Sequence, residues 1–224
     1  MPTFNNNQLT VKNLAVFRSE LPLFEAISFT LNSGEALQIS GTNGSGKTSL
    51  LRCLSGLSQR FEGQVDWNGN AIKNNHQLSF FQQLLYLGHS LGLKPKLTVE
   101  QNLSFYQQLR FAKNENIIVD TLKQLKIAGY LNELVGHLSA GQKRRVALAR
   151  IICEPVPLWI LDEPMVALDT EGQDWLEKCC NQHLKCGGMI LLTSHQRLSG
   201  IDGLKEIGLK DVDLHAYLNQ ASQI

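Results

Sequence analysis

The segment Gly41-Thr42-Asn43-Gly44-Ser45-Gly46-Lys47-Thr48 restricts what this 224-residue chain can fold into more than any other stretch. It matches the full phosphate-loop spacing, a pattern that has meaning only between a buried strand and a helix. Both flanks are present. The apolar run ALQIS precedes the loop, and TSLLRCLSGL follows it with Leu50, Leu51, Leu54 and Leu57 at helical spacing. Gly44 and Gly46 let backbone N–H groups turn inward around phosphate oxygens, the helix N-terminus adds partial positive charge, and Lys47 reaches the β- and γ-phosphates. The Thr48 hydroxyl is expected to ligate magnesium.

Around this centre the chain alternates strand and helix signals. Ile27, Phe29 and Leu31 alternate with Ser28 and Thr30 ahead of Gly34, which reads as a half-buried strand. Turn residues surround Val65 and Trp67 in EGQVDWNGN and suggest a hairpin near an edge of the domain. From about residue 91 the pattern turns mostly helical. Thr98 and Gln101 have capping-box spacing before Leu103, Tyr106 and Leu109; TLKQLKIAGYLNEL continues the insert; Ser139 and Gln142 repeat the box before Val146, Leu148 and Ile151. Pro155 and Pro157 end that helix. LWIL then reads as a buried strand, 171–184 as a helix and MILLT as a further strand, so the sheet is mainly parallel.

Asp162 and Glu163 follow LWIL at a strand's carboxyl end, where open α/β sheets place ligands. Alone, such a pair is usually a solvated turn. Beside a phosphate loop, Asp162 can hold magnesium through its water shell while Glu163 polarises the water that attacks a γ-phosphate. A phosphate loop is shared by kinases, GTPases and motors, whereas LSAGQKRRVALAR is not. That segment resembles the signature of the ABC ATPase family. The resemblance implies a P-loop NTPase of ABC ATPase cassette type: a mainly parallel core sheet with an antiparallel β edge and an inserted helical subdomain. Leu138, Ser139, Ala140, Gly141 and Gln142 then bind the ATP of a second copy of the chain, in an ATP-sandwich dimer. A capped helix start with free N–H groups is physically suited to an anion. Lys143, Arg144 and Arg145 read as a solvated face or an ion-pair network rather than a nucleic-acid site. Asp169 in ALD resembles the D-loop, and His195 in LLTSHQ the switch histidine that contacts the γ-phosphate and orients Glu163 or the water. Phe17 lies one residue from the family's adenine-stacking position, with core packing as its other reading.

Where the family carries a glutamine before the helical insert, this chain has LLYLGHSLGL, with His89 in its place and Ser90 or a shifted loop as the other reading. With that segment, LFEAISFTLNSGEALQISGTNGSGKTSLLRCLSGL and LSAGQKRRVALAR, the sequence resembles the CcmA family, ATP-binding subunits of the haem exporter in bacterial cytochrome c maturation. The resemblance implies ATP and Mg2+ as cofactors and a peripheral place on the cytoplasmic side of the inner membrane. It also implies a CcmB-like integral membrane subunit and other maturation components as partners, with ATP hydrolysis driving haem export or release of the haem chaperone. The alternatives are another ABC transporter's ATPase subunit, a soluble ABC ATPase, or a nucleotide-binding module without turnover.

Composition sets limits on these readings. A length of 224 residues fits one domain, with 1–88 and 156–224 as nucleotide-binding core and 89–155 as the helical signature subdomain. A net charge of +1 gives no general pull toward nucleic acid or anionic lipid, and no nucleic-acid partner is expected. The start MPTFNNNQLT lacks a signal-peptide pattern and no apolar run approaches a membrane span, so another chain is expected to supply the membrane part. Five scattered cysteines without CxxC or CxxCH fit a reducing compartment and give no sign of direct haem binding. Cys179, His183 and Cys186 share a helical face that an isolated helix rarely turns into a metal site, and an ordinary helix surface is expected there.

Overall fold

The computed structural model describes residues 2–4, 6–72, 77–194 and 198–212, without the side chain of Gln77. Two sheets sandwich one helix. The first is antiparallel and five-stranded, in the order β2 (Leu21–Pro22), β1 (Gln8–Arg18), β5 (Phe61–Trp67), β6 (Asn70–Ala71), with β3 (Ile27–Asn32) also paired to β1. β5 and β6 form the expected edge hairpin. Its turn residues Asn68 and Gly69 both have positive φ (51° and 78°), the primed geometry that matches strand twist. The second sheet is parallel throughout, in the order β10 (Lys205–Gly208), β4 (Ala36–Ser40), β9 (Met189–Thr193), β8 (Leu158–Asp162), β7 (Leu84–Leu87).

Helix α1 (Lys47–Leu54) lies between the sheets and buries Leu50, Leu51 and Leu54 against Leu9, Val11 and Val65 on one side and Ile39, Leu158 and Leu191 on the other. Each such side chain contributes about 1.5–3 kcal/mol of apolar burial. Leu57 was expected to extend this stripe but is 57% exposed, because the helix ends at Leu54 and Gly56 turns the chain at φ 74°. The opposite face of the parallel sheet packs Trp159, Leu161, Ile190 and Leu192 against α5 (Ala140–Cys153) and α6 (Thr170–Lys185). A sheet covered on both faces accounts for the uninterrupted apolar runs LWIL and MILL. The short helix α2 (Gln77–Phe81) precedes β7.

Between β7 and β8, α3 (Val99–Gln108), α4 (Glu115–Gln124) and α5 enclose a third cluster that includes Val99, Leu103, Ile118, Leu122, Val146 and Ala149. The Thr98–Gln101 capping box forms as read. The buried face of α3 forms in part: Leu103 is fully buried and Tyr106 half-buried, but Leu109 is 62% exposed, and Asn102 and Gln107 share the buried face. The Asn102 carboxamide donates to the Lys94, Leu97 and Thr98 carbonyls and accepts from Lys94 N–H, so a polar side chain fastens the loop before the helix. After α4 the insert is not continuous helix: Lys126 takes φ 56°, and two short 3-10 turns follow, Ala128–Tyr130 and Val135–His137.

The cysteine-rich stretch of α6 is not a helix surface. Cys179, Cys180 and His183 are buried against the parallel sheet. The imidazole of His183 stacks on Trp159 with centroids 3.7 Å apart and planes 7° off parallel, and Nε2 donates to the Pro157 carbonyl at 3.1 Å. Burial disfavours the cation and pulls its pKa from 6.5 down to about 4, against the opposing effect of the hydrogen bond. A lowered pKa in the folded state means that the unfolded chain binds the extra proton. Stability is therefore full above about pH 6.5 and falls as pH drops toward 4, by up to about 3 kcal/mol. Urea titrations at pH 7.5 and pH 5 should show this difference for the parent and a smaller one for His183→Phe; an equal difference in both would assign the pH effect elsewhere.

Candidate functional site

Because β4, β9, β8 and β7 are parallel and in register, their carboxyl ends emerge on one edge. Asp162 pairs with Thr193, Thr193 with Ile39, and Leu161 with Leu87. The phosphate-loop segment, the Asp162-Glu163 turn and the Gly88-His89 turn therefore leave the sheet side by side. Gly41, Gly44 and Gly46 have φ of 153°, 83° and 96°. At Gly46, the residue before α1, a Cβ would stand 2.9 Å from the Phe24 ring and 3.1 Å from Leu23, so both the dihedral and the packing call for glycine. The Lys47 ammonium is drawn back over the loop, donating to the carbonyls of Gly41 (2.8 Å) and Thr42 (2.9 Å).

One cleft of about 660 Å3 is lined by Asn43, Gly44, Gly46, Lys47, Thr48 and Glu163, and by Phe17 from β1. Phe17 is half-buried there rather than a core residue. Arg18, Arg52 and Arg60 line the same cleft, a cationic contribution that the sequence reading missed. Arg60 reaches it because its carbonyl accepts from Phe17 N–H across two strands distant in sequence. A glycine loop, an ammonium and guanidinium groups around an apolar ring suit a polyphosphate carrying a planar base.

Asp162 is 2% exposed; its Oδ1 accepts from the Thr193 hydroxyl at 2.7 Å, and its Oδ2 is buried with no hydrogen-bond partner among the described residues. Glu163 turns the chain at φ 51°, a left-handed conformation that disfavours an L-residue by about 1–2 kcal/mol. Its N–H donates to Thr193 Oγ1 at 3.0 Å and its carbonyl accepts from Arg144 Nη2 at 2.5 Å. Thr193 carried no sequence signal beyond its strand. Arg144, read as part of a solvated face or an ion-pair network, is 7% exposed, and burial lowers its guanidinium pKa against the pull of Asp162 and Glu163. The Glu163 turn carbonyl gives the guanidinium one hydrogen-bond partner, while its Nε is buried without one among the described residues.

The signature residues lie elsewhere. Ser139 caps α5 and forms the reciprocal box with Gln142 (3.3 and 2.8 Å), and none of Leu138, Ser139, Ala140, Gly141 or Gln142 lines the phosphate-loop cleft. Gly141 instead faces the Ala167 carbonyl, where Ala167 takes φ 62°. Two residues on, Asp169 caps α6 through Gly172 N–H and pairs with Arg145 at 2.6 Å; the Gly172 bond leads in lowering its pKa, with Arg145 adding to it. Thus the ion-pair reading holds for Arg145, and the ALD segment rests on the signature helix.

His89 is exposed just beyond β7 and lines a second cleft of about 660 Å3 with Thr48, Arg52, Tyr86, Tyr106, Arg110 and Arg150. Arg150 stacks on Tyr106 at 3.6 Å and, with Arg110, neutralises buried Glu154. Ser90 lines this cleft too. His195 lies outside the described residues. Among those residues no cluster of three His, Cys, Asp or Glu could hold a metal, and no helix is long and apolar enough to cross a membrane.

A parallel sheet presenting a glycine loop and an acidic strand end, joined to an antiparallel sheet and a helical insert that starts a capped helix, defines an ATP-binding cassette. The chain belongs to the ABC transporter family, whose sequence model matches residues 24–166. Among its relatives, the cytochrome c biogenesis ATP-binding export protein CcmA of Aliivibrio fischeri is 46% identical over 190 residues, 85% of this chain and 93% of the relative. A putative ABC transporter ATP-binding protein from Pyrococcus furiosus superposes with a TM-score of 0.79 at 27% identity, covering 92% of this chain and 100% of that one. A dimeric ATP-binding cassette in a post-hydrolysis state, bound to ADP and Pi, shares the fold at a TM-score of 0.79 and 21% identity, over 91% and 94% of the two chains.

Proposed function

We propose that this chain is the ATP-binding and hydrolysing subunit of a haem exporter of the cytochrome c maturation type, working as an ATP-sandwich dimer on a membrane partner. The observation that carries the dimer is the separation of two half-sites. Lys47, Thr48 and Glu163 line one cleft, while the Ser139 cap and its neighbours do not, so each copy lends its signature segment to the other's nucleotide. The relatives named as cytochrome c biogenesis export proteins support the process.

Phe17 stacks on adenine, and Lys47 exchanges its loop carbonyls for β- and γ-phosphate oxygens. Gly41, Thr42, Asn43, Gly44, Ser45 and Gly46 supply the backbone cradle. The hard oxygens of Thr48 and of Asp162, whose Oδ2 is buried without a partner, suit magnesium, which when bound neutralises charge on the phosphates. Glu163 is the general base that polarises the attacking water, and His195 contacts the γ-phosphate and orients that water. Asp169 belongs to the dimer-crossing loop. Residues 89–155 form the signature subdomain inserted in a core of 1–88 and 156–224, and the whole sits peripherally on the cytoplasmic side of the inner membrane. Haem contacts belong to the CcmB-like membrane subunit and other maturation components.

His89 stands where the membrane partner's signal enters, next to Thr48 in the second cleft. His89→Ala is expected to lower hydrolysis stimulated by a co-purified membrane partner about 10-fold, with basal hydrolysis within about 2-fold. Equal loss of both rates would mark His89 as structural only. Failure of the chain to follow a co-expressed membrane partner into the membrane fraction would sink the exporter reading.

A further inference from the structure

We infer that Thr193 and Arg144 are a pair of positioning residues that grip the Glu163 peptide from both sides and couple the hydrolytic carboxylate to the signature helix. The inference rests on the reading of Glu163 as general base. Glu163 leaves β8 at φ 51°, and its two backbone polar groups are held by side chains from different elements. The N–H donates to Thr193 Oγ1 on β9, and the carbonyl accepts from Arg144 Nη2 on α5. The Thr193 proton is already committed to Asp162 Oδ1, so a single hydroxyl, fully buried, sets both the carboxylate expected to hold magnesium and the backbone of the next residue.

Thr193 ends a strand whose other members are Met189, Ile190, Leu191 and Leu192, so its hydroxyl is the polar exception in MILLT. Arg144 is buried in the second turn of the helix that Ser139 caps, between the solvent-accessible signature and the carbonyl it grips. That helix moves as a unit with its cap, and a shift at Ser139, where the second copy's nucleotide binds, would reach the Glu163 carbonyl through one guanidinium. Each copy's hydrolytic turn would then respond to engagement of its own signature segment on the neighbouring site.

The test is steady-state ATP hydrolysis by the purified full-length chain with excess magnesium, comparing Thr193→Val, Thr193→Ser, Arg144→Gln and Glu163→Gln. Thr193→Val should lower kcat about 10- to 100-fold with KM for ATP within about 3-fold, and Thr193→Ser should recover kcat to within about 3-fold of the parent. Arg144→Gln should reduce kcat similarly and flatten the cooperative dependence of rate on ATP concentration. Adding Thr193→Val to Glu163→Gln should slow turnover no further, since both act through one group. Parental kcat in Thr193→Val, or a Thr193→Ser protein as slow as the valine variant, would overturn the inference while a slow Glu163→Gln leaves the base assignment standing. A normal rate in Glu163→Gln would overturn both. If Arg144→Gln does not fold, the valine and serine pair still decides the hydroxyl's role, and Arg144→Lys, which keeps the charge but loses the guanidinium's reach to the Glu163 carbonyl, tests the coupling: weakened cooperativity supports it, and parental kcat with parental cooperativity opposes it.

Discussion

Glu163→Gln protein is expected to bind ATP as tightly as the parent and to hydrolyse it at least about 10²-fold more slowly, the usual contribution of a positioned general base. The substitution keeps the side chain's shape and removes its basicity. Glu163 lines the cleft with Lys47 and Thr48, while its N–H and carbonyl are held by Thr193 and Arg144, so the backbone turn at φ 51° survives the exchange. Because the nucleotide then persists, the two copies should remain closed on two ATP molecules, visible as a dimer by size-exclusion chromatography with light scattering in MgATP. Turnover near the parental rate would remove Glu163 from the chemistry and leave the Asp162-Glu163 turn a structural element.

Lys47→Ala should act at the earlier step and weaken ATP binding by about 10- to 100-fold, the range of one or two charge-assisted hydrogen bonds. Lys47 is 7% exposed and its ammonium already donates to the Gly41 and Thr42 carbonyls, so its truncation also releases the loop. Equilibrium binding of a fluorescent ATP analogue separates the two effects. Affinity should fall with little change in melting temperature, because Leu50, Leu51 and Leu54 still anchor the helix that follows. Unchanged affinity would mean that Arg18, Arg52 and Arg60 carry the phosphates without Lys47.

Much of this site is legible in the sequence because its parts are local. The phosphate loop needs glycines at fixed offsets, the two capping boxes need a hydroxyl and a glutamine three residues apart, and both boxes form as read. LWIL and MILL announce a doubly covered sheet through apolarity alone. Less could be read where one residue's meaning depends on a distant neighbour. Only the tertiary fold brings Phe17 beside Arg60 in the cleft, through the Phe17 N–H donated to the Arg60 carbonyl. Apolar spacing put Leu109 on the face of α3 with Leu103 and Tyr106, but Leu109 is exposed and Asn102 and Gln107 share the buried face, because loop carbonyls and amides must find partners once the insert folds.

The sequence by itself determined the glycine loop, the acidic strand end, the capped signature helix and, through these, membership in an ABC cassette. Each is set by steric or hydrogen-bonding demands within a few residues. Only the tertiary structure decided that β9 puts Thr193 between Asp162 and Glu163, that Arg144 is buried against a turn carbonyl, and that His183 stacks on Trp159 under the sheet. It also set the capped signature segment apart from the phosphate-loop cleft. Those outcomes follow from strand order and helix packing, where the cost of leaving a charge or a backbone polar group unpaired selects partners that local pattern does not reveal.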